Sequence, residues 1–382
     1  MIEQDINKFI PKYYNLKLQI LQDIQNGKYP PGSKLPSNSE LMQKYGIARG
    51  TIERAMIELS NEGFIYTLQG KGCFVSEQNN KQQNKRTANY QNTINNNRKI
   101  VFILPYIIDG FYVSVLRGIL KFTELKNYGL EIYNSEEKYV KETKLLRKCI
   151  EENVAGLIFI SSFYEGKYTQ LLQLQKRGIP VVLLDTYLKK YNFDYVGSNN
   201  IQGAKTATKY LLKMGHRNIA FIGFKKFYIT AYERLQGYIQ ALKEYGIKPN
   251  PELIITENKN GKITDEGYDQ VKKLLSKRVP FTAIFAINDG LAIGTYKALE
   301  EEGIKVPDDV SIIGFDDSNL VRNFKVPLTV IQQDMFNLGY SATRLLFERI
   351  EQKNSKYNNE IKKIILDTKL IIRDSVKKLE TK

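Results

Sequence analysis

The sequence predicts an α/β protein of two doubly wound parallel-sheet lobes, preceded by a small α+β unit of three helices and a hairpin. From Lys99 onward short apolar runs alternate with helical patterns, the mark of parallel strands joined by crossover helices. That alternation runs, stops and starts again, so two similar lobes with a cleft between them are expected. Residues 1–76 follow another pattern: helical periodicities that end in a glycine-punctuated hairpin signal. At 382 residues the chain is too long for one core.

In the first unit, Tyr14, Leu18, Leu21 and Ile24 mark one face of a first helix. Gly27 and Pro30-Pro31-Gly32 end it in a turn. Ser37 and Glu40 have capping-box spacing, so a second helix starts there, and its free N–H groups could hold a phosphate. Gly46 breaks the pattern and a third helix runs from about Arg49 to Glu62. Ile52, Ala55, Met56 and Leu59 form its buried face, while Arg49, Gly50, Glu53, Arg54 and Ile57 point elsewhere. One apolar stripe for anchoring, with polar side chains left free, is what a helix in a DNA major groove requires. Phe64–Tyr66 and Cys73–Val75 flank Thr67-Leu68-Gln69-Gly70-Lys71-Gly72, a hairpin whose tip can lay Lys71 against a phosphate or into a minor groove.

Residues 77–98 are rich in Asn and Gln and nearly free of aliphatics, so they cannot bury a core and read as a flexible linker. The expected domains are therefore 1–76, the linker 77–98, and a two-lobed unit over 99–376.

In that unit strands are expected at Ile100–Leu104, Leu130–Tyr133, Leu157–Ile160 and Val181–Leu184, with helices at Val113–Phe122 and Tyr139–Ile150. The second stack has helices at Ala204–Met214, Tyr232–Tyr245 and Leu291–Glu302, and strands at Ile219–Gly223, Ala283–Ile287 and Ser311–Phe315. Asp185, Asn288 and Asp316 each fall just past the C-terminal end of a strand, where open α/β sheets bind ligands. Carboxylate, amide and guanidinium groups meeting there can bracket a sugar's hydroxyls, and Tyr106 and Phe111 can cover its C–H faces. Asp289, Asp308 and Asp309 read as helix caps. His216, the only histidine, reads as a structural hydrogen-bonding residue. With one His and two separated cysteines, Cys73 and Cys149, no metal site, disulfide framework or Cys–His nucleophile is expected.

Two resemblances become specific here. Pro11–Val75 resembles the GntR-type winged helix-turn-helix through Gly27 with Pro31-Gly32, Leu35-Pro36-Ser37, Arg49-Gly50-Thr51-Ile52, Ala55 with Leu59, Glu62-Gly63, and Gln69-Gly70-Lys71-Gly72 with Phe74-Val75. It implies binding to double-stranded operator DNA, with Arg49 on a base and Ser37, Thr51 and Lys71 on the backbone. The chain has Glu53, beside Arg54, where that family usually has Arg. Glu53 could accept from a cytosine amine or simply pair with Arg49 at i,i+4.

From about Lys99 to Ser375 the chain resembles the LacI/GalR regulatory domain, a periplasmic-binding-protein-like fold. The matching pieces are Ile179–Asp185, Gly215–Gly223, Tyr232–Tyr238, Ala283–Asp289, Val306–Asp317 and Leu328–Asp334. It implies effector contacts at Asp185, Arg234, Asn288 and Asp316, lining by Phe111 and Ser161, and a homodimer through the surface near Val113–Leu120. Asp185 and Arg234 could instead form an ion pair joining the lobes. The pairing of the two parts is similar to the arabinose-repressor family of low-GC Gram-positive bacteria, which implies a monosaccharide effector, L-arabinose. Phe159-Ile160-Ser161-Ser162 departs from the Glu-Pro-Thr segment usual there, and a changed pocket residue changes which sugar is accepted. Another pentose or hexose, a nucleobase, or activation in place of repression fits the same architecture.

The net charge of +16 does not locate the DNA surface: residues 1–97 hold 12 Lys and Arg against 8 Asp and Glu, the remainder 45 against 33. No apolar stretch could span a bilayer and Met1–Ile10 is no secretory signal, so a cytoplasmic protein with no membrane partner and no cofactor is expected. A transport binding protein would need such a signal and would not need Leu35–Val75. An enzyme of the aminotransferase-fused kind would need a Schiff-base lysine site.

Overall fold

The computed structural model describes residues 12–61, 64–68, 72–76, 98–107, 110–225, 228–257, 263–352 and 360–379. The chain divides into two units, Met1–Asn96 and Asn97–Lys382. The linker expected over 77–98 lies, apart from Arg98, outside the described residues.

The first unit consists of α1 (Lys12–Gln25), α2 (Asn38–Tyr45), α3 (Arg49–Asn61) and the antiparallel hairpin β1 (Ile65–Leu68) with β2 (Gly72–Val75). Its core joins Leu16 and Ile20 of α1, Leu35, Leu41, the stripe Ile52, Ala55, Met56 and Leu59 of α3, and Ile65 and Val75 of the hairpin. The α3 face is the one its sequence predicts. The α1 face is not. Leu16 and Ile20 are buried, Leu21 and Ile24 are half-buried, and Leu18 is exposed; the side chain of Tyr14 lies outside the described residues. Polar partners choose the phase: Lys17 reaches Glu58 of α3 at 3.2 Å and Tyr13 meets Arg54, which fixes the stripe at 13, 16, 20 and 24. The Gly32–Leu35 segment bridges to β2 at Lys34 and Phe74, with Gly32 N–H donating to the Val75 carbonyl (2.8 Å) and Leu35 N–H to that of Cys73 (2.9 Å).

The second unit has two six-stranded sheets. In lobe 1 the order is β4 (Gly129–Asn134), β3 (Lys99–Leu104), β5 (Gly156–Phe159), β6 (Val181–Leu184), β7 (Asp194–Ser198) and β13 (Lys363–Leu366), all parallel. Helices α4 (Gly110–Lys126), α5 (Tyr139–Glu151) and α6 (Thr169–Lys176) connect its strands. In lobe 2 the order is β9 (Ile254–Ile255), β8 (Ile219–Ile222), β10 (Ala283–Ala286), β11 (Ser311–Asp316) and β12 (Thr329–Gln332), parallel, with β14 (Lys369–Ile371) antiparallel at the edge. Its helices are α7 (Asn200–Lys213), α8 (Ile229–Glu244), α9 (Ile263–Ser276), α10 (Asp289–Glu301) and the short α11 (Asn319–Arg322). Strands β5, β6, β8 and β10 are apolar throughout because both faces are covered.

The lobes are not simply successive. The chain passes to lobe 2 between β7 and α7, and returns after β12 with α12 (Met335–Gln352), whose Leu338, Ala342, Leu345 and Leu346 complete the lobe 1 core. It adds β13 there and crosses again to β14, making three connections. Helices α4 and α12 cross so closely that a Cβ on Gly339 would stand 2.0 Å from the Val115 carbonyl oxygen, and one on Gly118 2.0 Å from that of Phe336. Gly339→Ala is expected to cost lobe 1 about 1–3 kcal/mol by forcing the helices apart. An unchanged denaturant midpoint would count against this packing.

His216 is 1% exposed, and its Nε2–H donates to the Lys377 carbonyl at 3.0 Å while Nδ1 accepts from the Thr282 hydroxyl at 2.9 Å. Both ring nitrogens are used structurally, and burial holds its pKa below the ordinary value. With Leu379 N–H bonded to the Met214 carbonyl, this packs the chain down to Leu379. Cys73 and Cys149 are unpaired. No described helix is long and apolar enough to cross a membrane.

Candidate functional site

In the first unit the expected capping box is present. The Ser37 hydroxyl accepts from Glu40 N–H at 3.3 Å, and a Glu40 carboxylate oxygen accepts from Ser37 N–H at 2.7 Å. These bonds hold the Glu40 carboxyl below its usual pKa. Gly46 closes α2 in the left-handed conformation at φ 62°, which aims the chain into α3. Arg49, Gly50 and Arg54 are exposed, and Thr51 and Glu53 are half-buried. A Cβ on Gly50 would meet nothing within 4 Å, so the surface there is open. Arg49 Nε donates to Glu53 Oε1 at 2.8 Å, the i,i+4 pairing that is one of the two readings of Glu53. Arg54 does not stand free. Its guanidinium lies 4.0 Å from the centre of the Tyr13 ring and its Nη2 is 3.4 Å from the Tyr13 hydroxyl, so it braces α3 against α1. Gly72 opens β2 at φ 108°; Gln69, Gly70 and Lys71 at the tip lie outside the described residues.

In the second unit a cavity of about 670 Å³ lies between the lobes, at the C-terminal ends of their strands. Tyr106, Phe111, Ser161, Asp185, Arg234, Asn288 and Asp316 all line it. Asp185 and Asp316 are each 8% exposed and hold positive φ, 60° and 103°. Non-glycine residues rarely adopt that conformation, and such strain clusters at ligand sites. The polar centre is Arg234, 5% exposed. Its Nε donates to Asn200 Oδ1 at 2.9 Å and its Nη1 to the Ile287 carbonyl at 2.5 Å. Asp316 Oδ1 is 3.5 Å from Nη1, and the guanidinium lies 3.7 Å from the Phe315 ring centre. Burial pushes the Asp316 carboxyl up and Arg234 opposes it. Phe111 and Tyr106 each pack edge to face against Tyr112, at 5.2 and 5.3 Å, giving an aromatic wall.

The helix-cap readings of Asp289, Asp308 and Asp309 are corrected. The cap of α10 is Asn288, whose Oδ1 accepts from Leu291 N–H at 2.8 Å, so towards a ligand it presents its amide donor. Asp289 instead accepts from Asp317 and Ser318 N–H, fixing the turn after β11. Asp308 pairs with Lys377, and Asp309 accepts from Lys305 N–H. The Ser161 hydroxyl lines the cavity but is turned into protein, held by Glu142, Tyr168 and Phe163 N–H.

Sequence reasoning missed Gln333, 4% exposed just past β12, whose Nε2 donates to Asp316 Oδ1 at 2.6 Å while its Oε1 has no partner among the described residues. Its signal was the polar pair Gln332-Gln333 after the strand run Leu328–Ile331. Also missed were Glu136, Glu137 and Lys138 after β4, Tyr228 before α8 and Glu266 of α9, all at the same cavity. Tyr228 donates to Glu137 Oε1 at 3.1 Å across the lobes, and burial with the Glu137 charge pushes the Glu266 carboxyl up to about 7.

Residues 12–75 match the family "Bacterial regulatory proteins, gntR family", and residues 208–376 match "Periplasmic binding protein-like domain". A relative from Halalkalibacterium halodurans, "Arabinose metabolism transcriptional repressor", is 32% identical over 371 residues, which is 95% of this chain and 96% of that one. The chain belongs to this family of transcriptional repressors. The repressor is 30% identical over 284 residues to "HTH-type transcriptional repressor PurR" of Pasteurella multocida, covering 74% of this chain and 83% of that one. A solved LacI family transcriptional regulator from Enterococcus faecium with bound ribose matches at TM-score 0.64 and 27% identity, over 74% of the repressor and all of that chain. The gntR-type head and the LacI-type two-lobed fold are thus both present.

Proposed function

We propose that the repressor binds operator DNA as a homodimer through residues 1–76, and that a neutral monosaccharide, L-arabinose before others, binds in the cleft of residues 99–376 and releases it. The observation that carries this is the convergence of Asp185, Arg234, Asn288, Asp316, Gln333 and an aromatic wall on one cavity at the strand ends. Its charge favours an uncharged polyol. Glu136, Glu137, Glu266, Asp185 and Asp316 line it, while Arg234 and Lys138 are already ion-paired with Asp316 and Glu136. Among the described lining residues, a phosphorylated or carboxylated sugar would meet carboxylates without a spare cation. The name of the Halalkalibacterium relative supports arabinose, and Val113 and Leu120, exposed on α4, suit contact with a second copy.

DNA contacts are assigned to Ser37, Arg49, Gly50, Thr51, Glu53 and the wing residues Gln69, Gly70, Lys71 and Gly72, with Arg54 supporting α3. Sugar binding closes the lobes and lowers DNA affinity. By linkage, operator DNA weakens sugar binding by the same factor. A different effector is favoured by one observation, the Ser161-Ser162 segment that departs from the arabinose pattern.

Calorimetric titration of the full-length repressor with L-arabinose, D-xylose, D-galactose and ribose tests the assignment. L-arabinose is expected to bind tightest, in the micromolar range. Tighter binding of a comparator would reassign the effector and leave the architecture intact.

A further inference from the structure

The segment after β5 is held with unusual completeness. Glu142 of α5 is 0% exposed. Its Oε1 accepts from Ser162 N–H at 3.0 Å, and its Oε2 accepts from the Ser161 hydroxyl at 3.2 Å and from the Tyr168 hydroxyl. On the other side Thr186 Oγ1 accepts from Ser161 N–H at 3.1 Å and donates to the Ser161 carbonyl at 3.0 Å. Backbone and side chain of Ser161 are therefore both committed to the protein.

Ser162 is the opposite case. It lines the cavity, is 3% exposed, and its hydroxyl has no hydrogen-bond partner among the described residues. Leaving a buried hydroxyl unpaired costs free energy that a ligand hydroxyl can recover, since each can both donate and accept. A carboxylate buried only to fix this turn is explained if the turn must present that hydroxyl accurately.

We propose that Ser162 is a specificity-determining contact of the cleft, its hydroxyl pairing with one hydroxyl of a neutral sugar, and that Glu142 is the residue positioning it. This rests on reading the cleft as a sugar site. Discrimination follows: a site built to pair one hydroxyl rejects the analogue lacking it.

The test uses the full-length repressor, whichever of L-arabinose, D-xylose, D-galactose and ribose binds it tightest, and the monodeoxy analogues of that sugar. Ser162→Ala is expected to bind the sugar about 10-fold more weakly, to match the parent on one monodeoxy analogue, and to melt no lower than the parent without ligand. Glu142→Asp, which draws the turn back by a methylene, is expected to lose the same discrimination while binding that analogue as the parent does. Unchanged sugar affinity in Ser162→Ala, or equal weakening for every analogue, would overturn the Ser162 contact while the sugar reading stands. Undiminished discrimination in Glu142→Asp would overturn the positioning role alone. Absence of binding by all four sugars would overturn the sugar reading and this inference with it.

Discussion

Arg234→Ala is expected to abolish effector binding and to lower the stability of the two-lobed unit by about 3–5 kcal/mol, the cost of leaving a buried charge without its partner. The guanidinium ties Asn200 at the entry to α7, the Ile287 carbonyl beyond β10 and Asp316 at the end of β11. Removing it leaves Asp316 buried with Gln333 as its remaining side-chain donor. Because that variant could fail to fold, Arg234→Lys is the companion. It keeps the charge but not the planar fork, and is expected to retain most of the stability while binding sugar at least about 10-fold more weakly. Thermal melts beside sugar titrations check both. Parent-like affinity in Arg234→Lys would show that the fork is not a ligand contact.

Arg49→Ala is expected to cost about 1–3 kcal/mol of specific DNA binding and to relax selectivity at one base pair, without unfolding the head. The Arg49 side chain is 75% exposed and contributes nothing to the core of α1, α2 and α3. Its exposed pairing with Glu53 stabilises the helix by no more than a few tenths of a kcal/mol. In the proposed mode of DNA binding that pairing matters more for recognition, because it holds the guanidinium at the N-terminal end of α3, the end a recognition helix presents to base edges. Glu53→Ala is therefore expected to change base preference less than Arg49→Ala does. Binding of randomised duplexes by each variant checks this, and an unchanged preference in Arg49→Ala would remove it from the base-reading set.

Much of this was legible in the sequence because the signals were local. The stripe Ile52, Ala55, Met56 and Leu59 fixed the orientation of α3, and polar residues placed just after apolar strands located the cleft. Two kinds of information were not local. The return of α12 and β13 to lobe 1 depends on a helix fitting against Gly118 and Val115, more than two hundred residues earlier in the chain. The choice between neighbouring side chains depends on turn geometry: Asn288 rather than Asp289 caps α10, and the Ser162 hydroxyl rather than that of Ser161 is left without a partner among the described residues, because Glu142 and Thr186 hold the turn. The phase of α1 was misjudged for a related reason, since Lys17 and Tyr13 find partners on α3 that no apolar count reveals.

The most direct measurement is the affinity of the full-length repressor for a duplex it has itself enriched from a random pool, followed by fluorescence anisotropy as L-arabinose is added. Specific binding that weakens with sugar, saturably and reversibly, is the predicted result. Specific binding that arabinose leaves unchanged, or tightens, would contradict the proposal that the cleft and the DNA-reading head are coupled as an arabinose-released repressor.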